Sequence, residues 1–131
     1  MTFVDTPAIY AVLDQSDQNH AAARAVWLRL LESGSPMFTT NDVVVECCAL
    51  AQNRLGRKAV HTFHEDFLPA LEVRWIDAAA HTLAMAALLA ARRKNVTLVD
   101  FASFSVMRQV GSRVAFAFDR HFAEERFAFP G

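Results

Sequence analysis

Near the N-terminus, two runs of apolar residues are separated by a short polar segment. Phe3–Val4 lead directly into Asp5, and apolar residues return over Ala8–Leu13. Thr6 can accept a backbone N–H as an N-cap, and Pro7 suits the first helical position because an N–H there would have no helical partner. The pattern therefore predicts a buried strand that ends at Asp5 and a helix that follows it.

The same alternation continues along the chain and predicts further strands and helices. Strands are predicted at Pro36–Thr40, at Leu71–Ile76, at Val114–Phe118 and, briefly, at Phe127–Phe129. Helices are predicted from Asp17 or Asn19 to Gly34, at Asp42–Arg54 with Asn41 as the cap, at Arg57–Leu68, from Asp77 to Arg92–Lys94, and from Thr97 to Val110. Continuous apolar strands that alternate with helices indicate an α/β fold with a parallel sheet covered on both faces.

Length and charge narrow the class of protein. The chain has 131 residues, which predicts a single domain over residues 1–131, and its 13 basic and 14 acidic residues give a net charge of −1. No global basic field points to a nucleic-acid partner, so a local cluster would have to make any such contact. The densest clusters of basic residues are Arg54, Arg57 and Lys58, and then Arg92–Lys94.

Hydrophobic residues make up 53% of the chain, which is a high fraction for a small domain, and we expect the extra apolar surface to lie in subunit or partner interfaces.

The absence of targeting signals and the cysteine content favour a cytoplasmic protein. No apolar run reaches the roughly 20 residues of a membrane span, and the acid at position 5 argues against a signal peptide. Cys47 and Cys48 are adjacent, so they form no disulfide framework and fit a reducing compartment. A redox role for this pair stays open beside the simpler interpretation of two packed thiols. Likewise, His61 and His64 could share a zinc ion or simply face solvent.

Four acids occupy comparable places in the predicted fold. Asp5 and Asp119 each follow an apolar strand, and Asp100 lies in the first turn of a helix. Glu46 lies on the flank of the buried stripe of its helix and not on the solvated side. Taken singly, each acid has an ordinary explanation as a cap, a helix-dipole residue, a turn residue or a solvated side chain.

Taken together, the four acids predict a cation site, because the carboxyl ends of parallel strands meet at one edge of a sheet. Two carboxylates ~4 Å apart repel by about 4 kcal/mol at an effective dielectric constant of about 20. A domain that gathers four of them therefore needs a cation. Mg²⁺ and Mn²⁺ are hard ions that take oxygen ligands, polarise phosphoryl oxygens and acidify bound water.

Four short stretches of the chain resemble the PIN-domain ribonucleases of the VapC toxin type. They are Phe3–Thr6, Asn41–Glu46, Thr97–Ala102 and Phe118–Phe122, and they come in the family's order over nearly the whole chain. The resemblance implies a three-layer α/β/α sandwich with a central parallel sheet, cleavage of RNA that depends on Mg²⁺ or Mn²⁺, and a neutralising antitoxin. It also implies which residues form the catalytic and metal site: Asp5, Glu46, Asp100 and Asp119.

The same resemblance implies roles for the residues beside these acids. Thr6 and Thr97 would orient carboxylates. Arg120 and His121 fill the place where some members carry an additional acid after the last aspartate. We also expect a homodimer, because the apolar composition requires covered surface and the resemblance agrees.

The resulting hypothesis is a metal-dependent endoribonuclease that acts as the toxin of a toxin–antitoxin pair. Asp5, Asp100 and Asp119 would hold the ion, and Glu46 would share it or deprotonate the attacking water. An amphipathic antitoxin peptide would pack in a groove between the Arg57–Leu68 helix and the first two helices, at apolar residues Ile9, Leu13, Val26, Trp27 and Leu30. It would push an arginine towards Asp5 and Asp119.

Two other classes of protein remain as alternatives. One is a non-catalytic PIN-like module that binds RNA or protein. The other is a phospho-acceptor signalling domain, which also gathers acids at strand ends. That class usually requires a lysine near the end of a late strand, and here Arg120 follows Asp119 instead.

Overall fold

A four-stranded parallel sheet forms the centre of the protein, whose computed structural model describes residues 1–130. The strands are β1 (Thr2–Val4), β2 (Met37–Thr40), β3 (Glu72–Arg74) and β4 (Val114–Phe116), in the spatial order β3-β2-β1-β4. All three neighbouring pairs are parallel. The predicted parallel sheet is confirmed, and β3 is an edge strand with two of its three residues exposed.

Seven α-helices connect and cover the strands. They are α1 (Thr6–Leu13), α2 (His20–Ser33), α3 (Asn41–Leu55), α4 (Arg57–Thr62), α5 (Ala78–Ala90), α6 (Leu98–Val110) and α7 (His121–Glu124). A π-helical turn at Phe63–Phe67 and a 3₁₀ turn at Leu68–Ala70 continue α4. Among residues 1–130, no helix is both long and apolar enough to cross a membrane.

The strand order places a reversal of direction between β1 and β4. The chain moves outward from β1 to β2 and β3, and then crosses back so that β4 lies on the other side of β1. Because parallel crossovers are right-handed, the two directions put their helices on opposite faces. Accordingly, α1 packs on α2 and α3, α3 packs on α4, and α5 packs on α6. The resulting α/β/α fold has its switch point at the β1–β4 pair, where such sheets bind ligands.

Phenylalanine side chains pack between the sheet, helix α6 and the C-terminal segment. The ring of Phe3 lies 5.4 Å from that of Phe38 and 5.9 Å from that of Phe122. Phe104 meets Phe122 edge to face at 5.1 Å. All four rings are fully buried, and such pairs add about 0.5–1.5 kcal/mol beyond area burial. This packing fixes α6 and α7 against β1, and with them the residues that follow β4.

The N-cap positions of two helices differ from the sequence prediction. Thr6 is the first residue of α1, so Asp5 takes the N-cap position with extended backbone. Thr40 caps α3 by accepting the Val43 N–H at 3.2 Å, whereas the predicted cap Asn41 accepts the N–H of Ile76 at 2.6 Å. The side-chain oxygen of Asn41 therefore bonds to a residue 35 positions away and does not cap the helix.

Several predicted elements are shorter in the structure, among them the helix before Arg92 and the last strand. Helix α5 ends at Ala90, so the run Arg92–Lys94 lies beyond the helix and is not its last turn. The predicted strand Phe127–Phe129 reduces to a single parallel bridge between Val114 and Ala128. Pro130 follows immediately, and proline has no N–H with which to extend a ladder.

The apolar groove predicted on the first two helices is wrong for three of its five residues. Ile9, Trp27 and Leu30 belong to the core, and the Trp27 ring stacks on Phe67 with ring centroids 4.8 Å apart. Leu13 and Val26 are only half-buried. The stacking of Phe67, from the π-helical turn, on Trp27 of α2 covers apolar surface that the sequence pattern assigned to the antitoxin groove.

Candidate metal centre

Asp5 directly follows β1 at the switch point of the sheet, and its carboxyl group is buried. Its backbone N–H donates to Phe116 O at 3.0 Å, which continues the β1–β4 pairing one step past the strand. The side chain makes no capping bond to α1 although it stands at the N-cap, and the residue is only 3% exposed. The carboxyl group is therefore held at the sheet edge without serving the helix.

Asp100 is oriented by the start of α6. One of its carboxylate oxygens, Oδ2, accepts the Thr97 N–H at 2.9 Å, and its own N–H donates to Thr97 Oγ1 at 3.1 Å. This reciprocal capping box holds the carboxylate in one orientation. Asp100 is buried, and its other oxygen, Oδ1, has no hydrogen bond among the described residues. That oxygen is available to a ligand.

Asp119 follows β4 and is the most accessible aspartate of the site, with a side chain 34% exposed. Its Oδ1 accepts the backbone N–H of His121 at 3.0 Å and lies 3.4 Å from His121 Nε2. Phe122 N–H also donates to Asp119 O at 3.3 Å. The turn between β4 and α7 therefore positions both a carboxylate and an imidazole beside Asp100.

Glu46 reaches the site from α3. It is half-buried, and burial raises the pKa of its carboxyl group, with the charge of Asp100 adding to the rise. The Thr6 hydroxyl lies close enough to oppose this rise in the Glu46 pKa. Yet Thr6 Oγ1 is buried and has no hydrogen-bond partner among the described residues. A donor or acceptor supplied by a ligand would satisfy it.

The four acids are electrostatically coupled, and we call Asp5, Glu46, Asp100 and Asp119 the acidic cluster. Burial raises the pKa of Asp5 well above its ordinary value, and the charge of Asp100 raises it further. The Thr6 N–H opposes that rise, and the charges of Glu46 and Asp119 add to it. The pKa of Asp100 is raised chiefly by burial, against the Thr97 hydrogen bonds. The three other acids that the sequence singled out are therefore near enough for their charges to influence the pKa of Asp5. Of the four, only Asp100 and Asp119 belong to a group of three possible ligands, among residues 1–130, whose atoms lie within 4.8 Å of one another.

The tightest group of possible metal ligands contains a residue that the sequence analysis left outside the site. Ligand atoms of Asp100, Asp119 and His121 all lie within 4.8 Å of one another. Among residues 1–130 no other group of three or more acids, histidines and cysteines meets this condition. The sequence signal for His121 was its place two residues after Asp119, where the family resemblance leads one to expect an acid.

The donor set of this centre fits a hard divalent cation. Carboxylate oxygens dominate it, the Asp100 oxygen is free, and the Thr6 hydroxyl is buried without a partner. Cys47 is nearby, but burial raises the pKa of its thiol, and the thiol lies 4.0 Å from Thr6 O, to which it donates. Cys47 belongs to no group of three possible ligands among residues 1–130, so the residues present favour an ion that is held mainly by oxygen atoms.

Within residues 1–130, the histidine and cysteine pairs from the sequence belong to no group of three possible metal ligands. His61 pairs at 4.0 Å with Glu65, and both side chains are well exposed. The pair His61 and His64 belongs to no group of three ligands within the described chain. Cys47 and Cys48 are both free thiols, one buried and one half-buried, which supports the interpretation of packed cysteines.

The basic run after α5 lies close to the acidic cluster. Asn95 follows it directly, and the Asn95 carbonyl lies 3.0 Å from His121 Nε2. Arg93 pairs with Glu124 at 3.1 Å and with Glu125 at 3.5 Å. Arg92 and Lys94 are exposed and form no ion pair with any described residue. Two exposed positive charges therefore lie within three residues of Asn95, whose carbonyl contacts the site.

Comparison with known proteins gives consistent matches over nearly the whole chain. A model of the PIN domain matches residues 2–127. Two curated relatives are both named 23S rRNA-specific endonuclease VapC20, from the CDC 1551 / Oshkosh and H37Rv strains of Mycobacterium tuberculosis. Each is 31% identical to this chain over 129 residues, and the alignment covers 97% of this chain and 95% of the relative. The crystal structure of the M. tuberculosis VapC20, titled a Sarcin-Ricin loop cleaving toxin, superposes with a TM-score of 0.85 at 29% identity. That match covers 98% of this chain and 97% of the other.

Proposed function

The chain belongs to the PIN-domain family as an endoribonuclease of the VapC toxin type, and on that premise we propose that the acidic cluster is its catalytic metal site. PIN nucleases use a divalent metal ion, and we propose Mg²⁺ or Mn²⁺ here because the donors are carboxylate oxygens. We further propose that residues 1–131 form one nuclease domain.

Each acid has a role that follows from its surroundings. Asp5 and Asp100 are buried and held by backbone hydrogen bonds, so they are suited to hold the ion, with Asp119 closing the site from the more exposed side. The bound ion would polarise the phosphoryl group and lower the pKa of a water molecule. Glu46, with its raised pKa, is suited to accept the proton of that attacking water on its carboxylate.

The observation that carries the proposal is the burial of Asp5 beside three other acids. Burial raises the Asp5 pKa most, and repulsion from the three other acids raises it further, so an ionised Asp5 destabilises the metal-free fold. A cation removes this penalty. Since no protein nucleophile or RNA 2′-hydroxyl is needed, we expect in-line attack by water to leave a 5′-phosphate and a 3′-hydroxyl.

Nuclease assays with defined metals test this function. RNA should remain intact in EDTA and be cleaved when Mg²⁺ or Mn²⁺ is added, with 5′-monophosphate ends detected by selective ligation. Glu46→Gln should reduce the cleavage rate by about 10²-fold or more, because a positioned general base contributes that much. Glu32→Gln, an exposed change at the end of α2, is the matched control.

Two results would contradict the proposed function. Cleavage that persists in EDTA, or products with cyclic phosphate ends, would exclude the metal-dependent mechanism. Folded protein that binds RNA but cleaves none with either ion would favour the non-catalytic PIN-like module instead.

We propose that the substrate is ribosomal RNA, because the relatives are named for 23S rRNA and the similarity spans nearly the whole of both chains. The free charges of Arg92 and Lys94 beside the site are suited to contact the phosphate backbone. Primer extension on ribosomes exposed to the protein should show one cut in 23S rRNA. Cuts scattered over messenger RNA would oppose this assignment.

We also propose a cognate antitoxin that reaches the acidic cluster with an arginine. The planar guanidinium can bind a carboxylate with two hydrogen bonds. Asp119 and Glu46 are accessible to it, whereas Asp5 is buried. Replacing that arginine by alanine in the co-expressed partner should restore nuclease activity while binding weakens only modestly, because an exposed ion pair is worth about 1 kcal/mol or less.

Finally, we propose a homodimer that works in the cytoplasm. Helix α5 presents Leu83 and Leu89 to solvent, 64% and 80% exposed, and a second copy would cover them. The cytoplasmic assignment rests on the ribosomal substrate proposed above and on the two free thiols.

A further inference from the structure

His121 is a buried imidazole placed against two acids of the cluster. The residue is 7% exposed and lies at the start of α7. Its Nε2 lies 3.4 Å from Asp119 Oδ1, and a ligand atom of Asp100 is within 4.8 Å of the same group. Its geometry is that of a third ligand beside two carboxylates, and the mechanism derived above does not use it.

The two ring nitrogens of His121 have unequal partners. Nε2 lies 3.0 Å from the carbonyl oxygen of Asn95, so in a neutral ring its hydrogen can be donated there. With the hydrogen on Nε2, Nδ1 carries only a lone pair, and it is buried without a hydrogen-bond partner among the described residues. A buried polar atom without a hydrogen-bond partner destabilises the fold. This arrangement of the ring is therefore one that a ligand could improve.

The carboxylate of Glu124 offers the other arrangement. Its Oε1 lies 3.8 Å from Nδ1, one turn further along α7. If the ring hydrogen moves to Nδ1, a small shift lets it donate to Glu124, and the lone pair of Nε2 then faces the Asn95 carbonyl oxygen at 3.0 Å, with Asp119 Oδ1 3.4 Å away. A cation bound among these three atoms would take the place of the hydrogen that Nε2 has given up. Histidines that bind metals usually donate their second N–H to a carboxylate or carbonyl in this way.

We propose, on the basis of the metal site proposed above, that His121 binds the same ion through Nε2 and makes the site prefer Mn²⁺ or a similar transition metal over Mg²⁺. Imidazole nitrogen suits transition metals, whereas Mg²⁺ strongly prefers oxygen. Glu124 is a positioning residue that accepts the Nδ1 hydrogen. Two independent features support this assignment, namely the three-ligand group and the unpartnered Nδ1.

Pulsed electron paramagnetic resonance on the Mn²⁺-loaded wild-type chain tests the assignment without relying on activity. A directly bound imidazole should produce a ¹⁴N modulation in the spin echo, and labelling all five histidines with ¹⁵N should replace that modulation by the ¹⁵N pattern. No substitution is needed, so the fold is not at risk. Bound Mn²⁺ without nitrogen coupling would overturn the inference and leave the acidic metal site standing.

Affinity measurements on variants separate this inference from the proposed function. His121→Asn should weaken Mn²⁺ binding at least about tenfold and abolish the nitrogen coupling, with Mg²⁺ binding changed less. His81→Asn, at an exposed histidine of α5, is the matched control and should change neither. Equal losses for Mn²⁺ and Mg²⁺ would overturn the selectivity. If the wild-type chain bound no divalent ion at all, both the inference and the proposed metal site would fail.

Glu124→Gln tests the positioning role by itself. It should keep the nitrogen coupling and weaken Mn²⁺ affinity by about tenfold, as changes to the residues that orient metal ligands typically do. An unchanged Mn²⁺ affinity would show that Glu124 does not orient His121.

Discussion

Thr97 and Asp100 hold each other in place at the start of α6. The Thr97 N–H donates to Asp100 Oδ2 at 2.9 Å, and the Asp100 N–H donates to Thr97 Oγ1 at 3.1 Å. The same two bonds begin the helix and orient a carboxylate of the acidic cluster. The stability of α6 and the proposed metal site therefore depend on one pair of residues three positions apart.

We predict that Thr97→Ala affects both properties. Loss of the cap should lower the free energy of unfolding by about 1 kcal/mol, measured by urea denaturation. It should also weaken metal binding by about tenfold, because Asp100 loses one of the bonds that fix its orientation. Thr97→Ser keeps the hydroxyl and is the control. If Thr97→Ala lost stability but bound metal normally, the capping box would serve only the helix.

Asp5→Asn should abolish cleavage without unfolding the protein. The change removes one charge from a buried, crowded set of acids, so the melting temperature in EDTA should hold or rise. Cleavage should fall by about 10²-fold or more, since a carboxylate is lost from the metal site. Asp66→Asn, at an exposed aspartate, should change neither quantity. A wild-type cleavage rate in Asp5→Asn would refute the role of this residue.

The stability of the metal-free protein should decrease as pH rises above about 4. Burial raises the folded-state pKa of Asp5 above its ordinary value of 3.8, so between the two values the unfolded chain binds fewer protons than the folded one. Asp100 and Glu46 shift in the same direction. Asp14 shifts in the opposite direction because Tyr10 donates a hydrogen bond to it.

The difference between wild-type and Asp5→Asn isolates the contribution of Asp5 to this pH dependence. The two unfolding free energies in EDTA should differ least in acid and diverge as pH rises through the folded pKa of Asp5, with the variant more stable. Saturating Mn²⁺ should remove the wild-type decrease. Parallel curves at all pH values would show that Asp5 is not destabilised by ionisation.

The two exposed leucines of α5 should hold the dimer together. Burying a leucine side chain contributes about 1.5–3 kcal/mol, so Leu83→Ser with Leu89→Ser should raise the dissociation constant at least tenfold. Sedimentation equilibrium at tens of micromolar measures this. Leu31→Ser on α2, where the side chain is 41% exposed, is the control. A wild-type monomer at these concentrations would contradict the predicted dimer.

The free charges of Arg92 and Lys94 should contribute to RNA binding through the phosphate backbone. For single-stranded RNA, the slope of log affinity against log salt should decrease in magnitude by about 1.4 in Arg92→Ala with Lys94→Ala, at about 0.7 per contact. Arg24→Ala with Arg29→Ala on α2 is the control. An unchanged slope would place the RNA elsewhere.

The sequence alone predicted the parallel α/β fold and the four acids, for a local physical reason. The periodicity that distinguishes strands from helices depends on residues close together in the chain, and an acid that follows an apolar strand must lie at the sheet edge. The capping role of Thr97 was predictable for the same reason, because its partner is three residues away. Structural placement of Asp5 beside Asp100 agrees with this reasoning, while their catalytic roles stay predictions.

Tertiary structure decided the features that depend on residues far apart in the chain. Thr40 caps α3 because Asn41 is held by Ile76, and Trp27 is in the core because Phe67 stacks on it. His121 lies beside Asp100 because the turn after β4 and the packing of Phe122 position it there. Local periodicity determines which element a residue belongs to. Contacts between elements determine which of two competing partners a side chain meets, and only the folded chain brings those partners together.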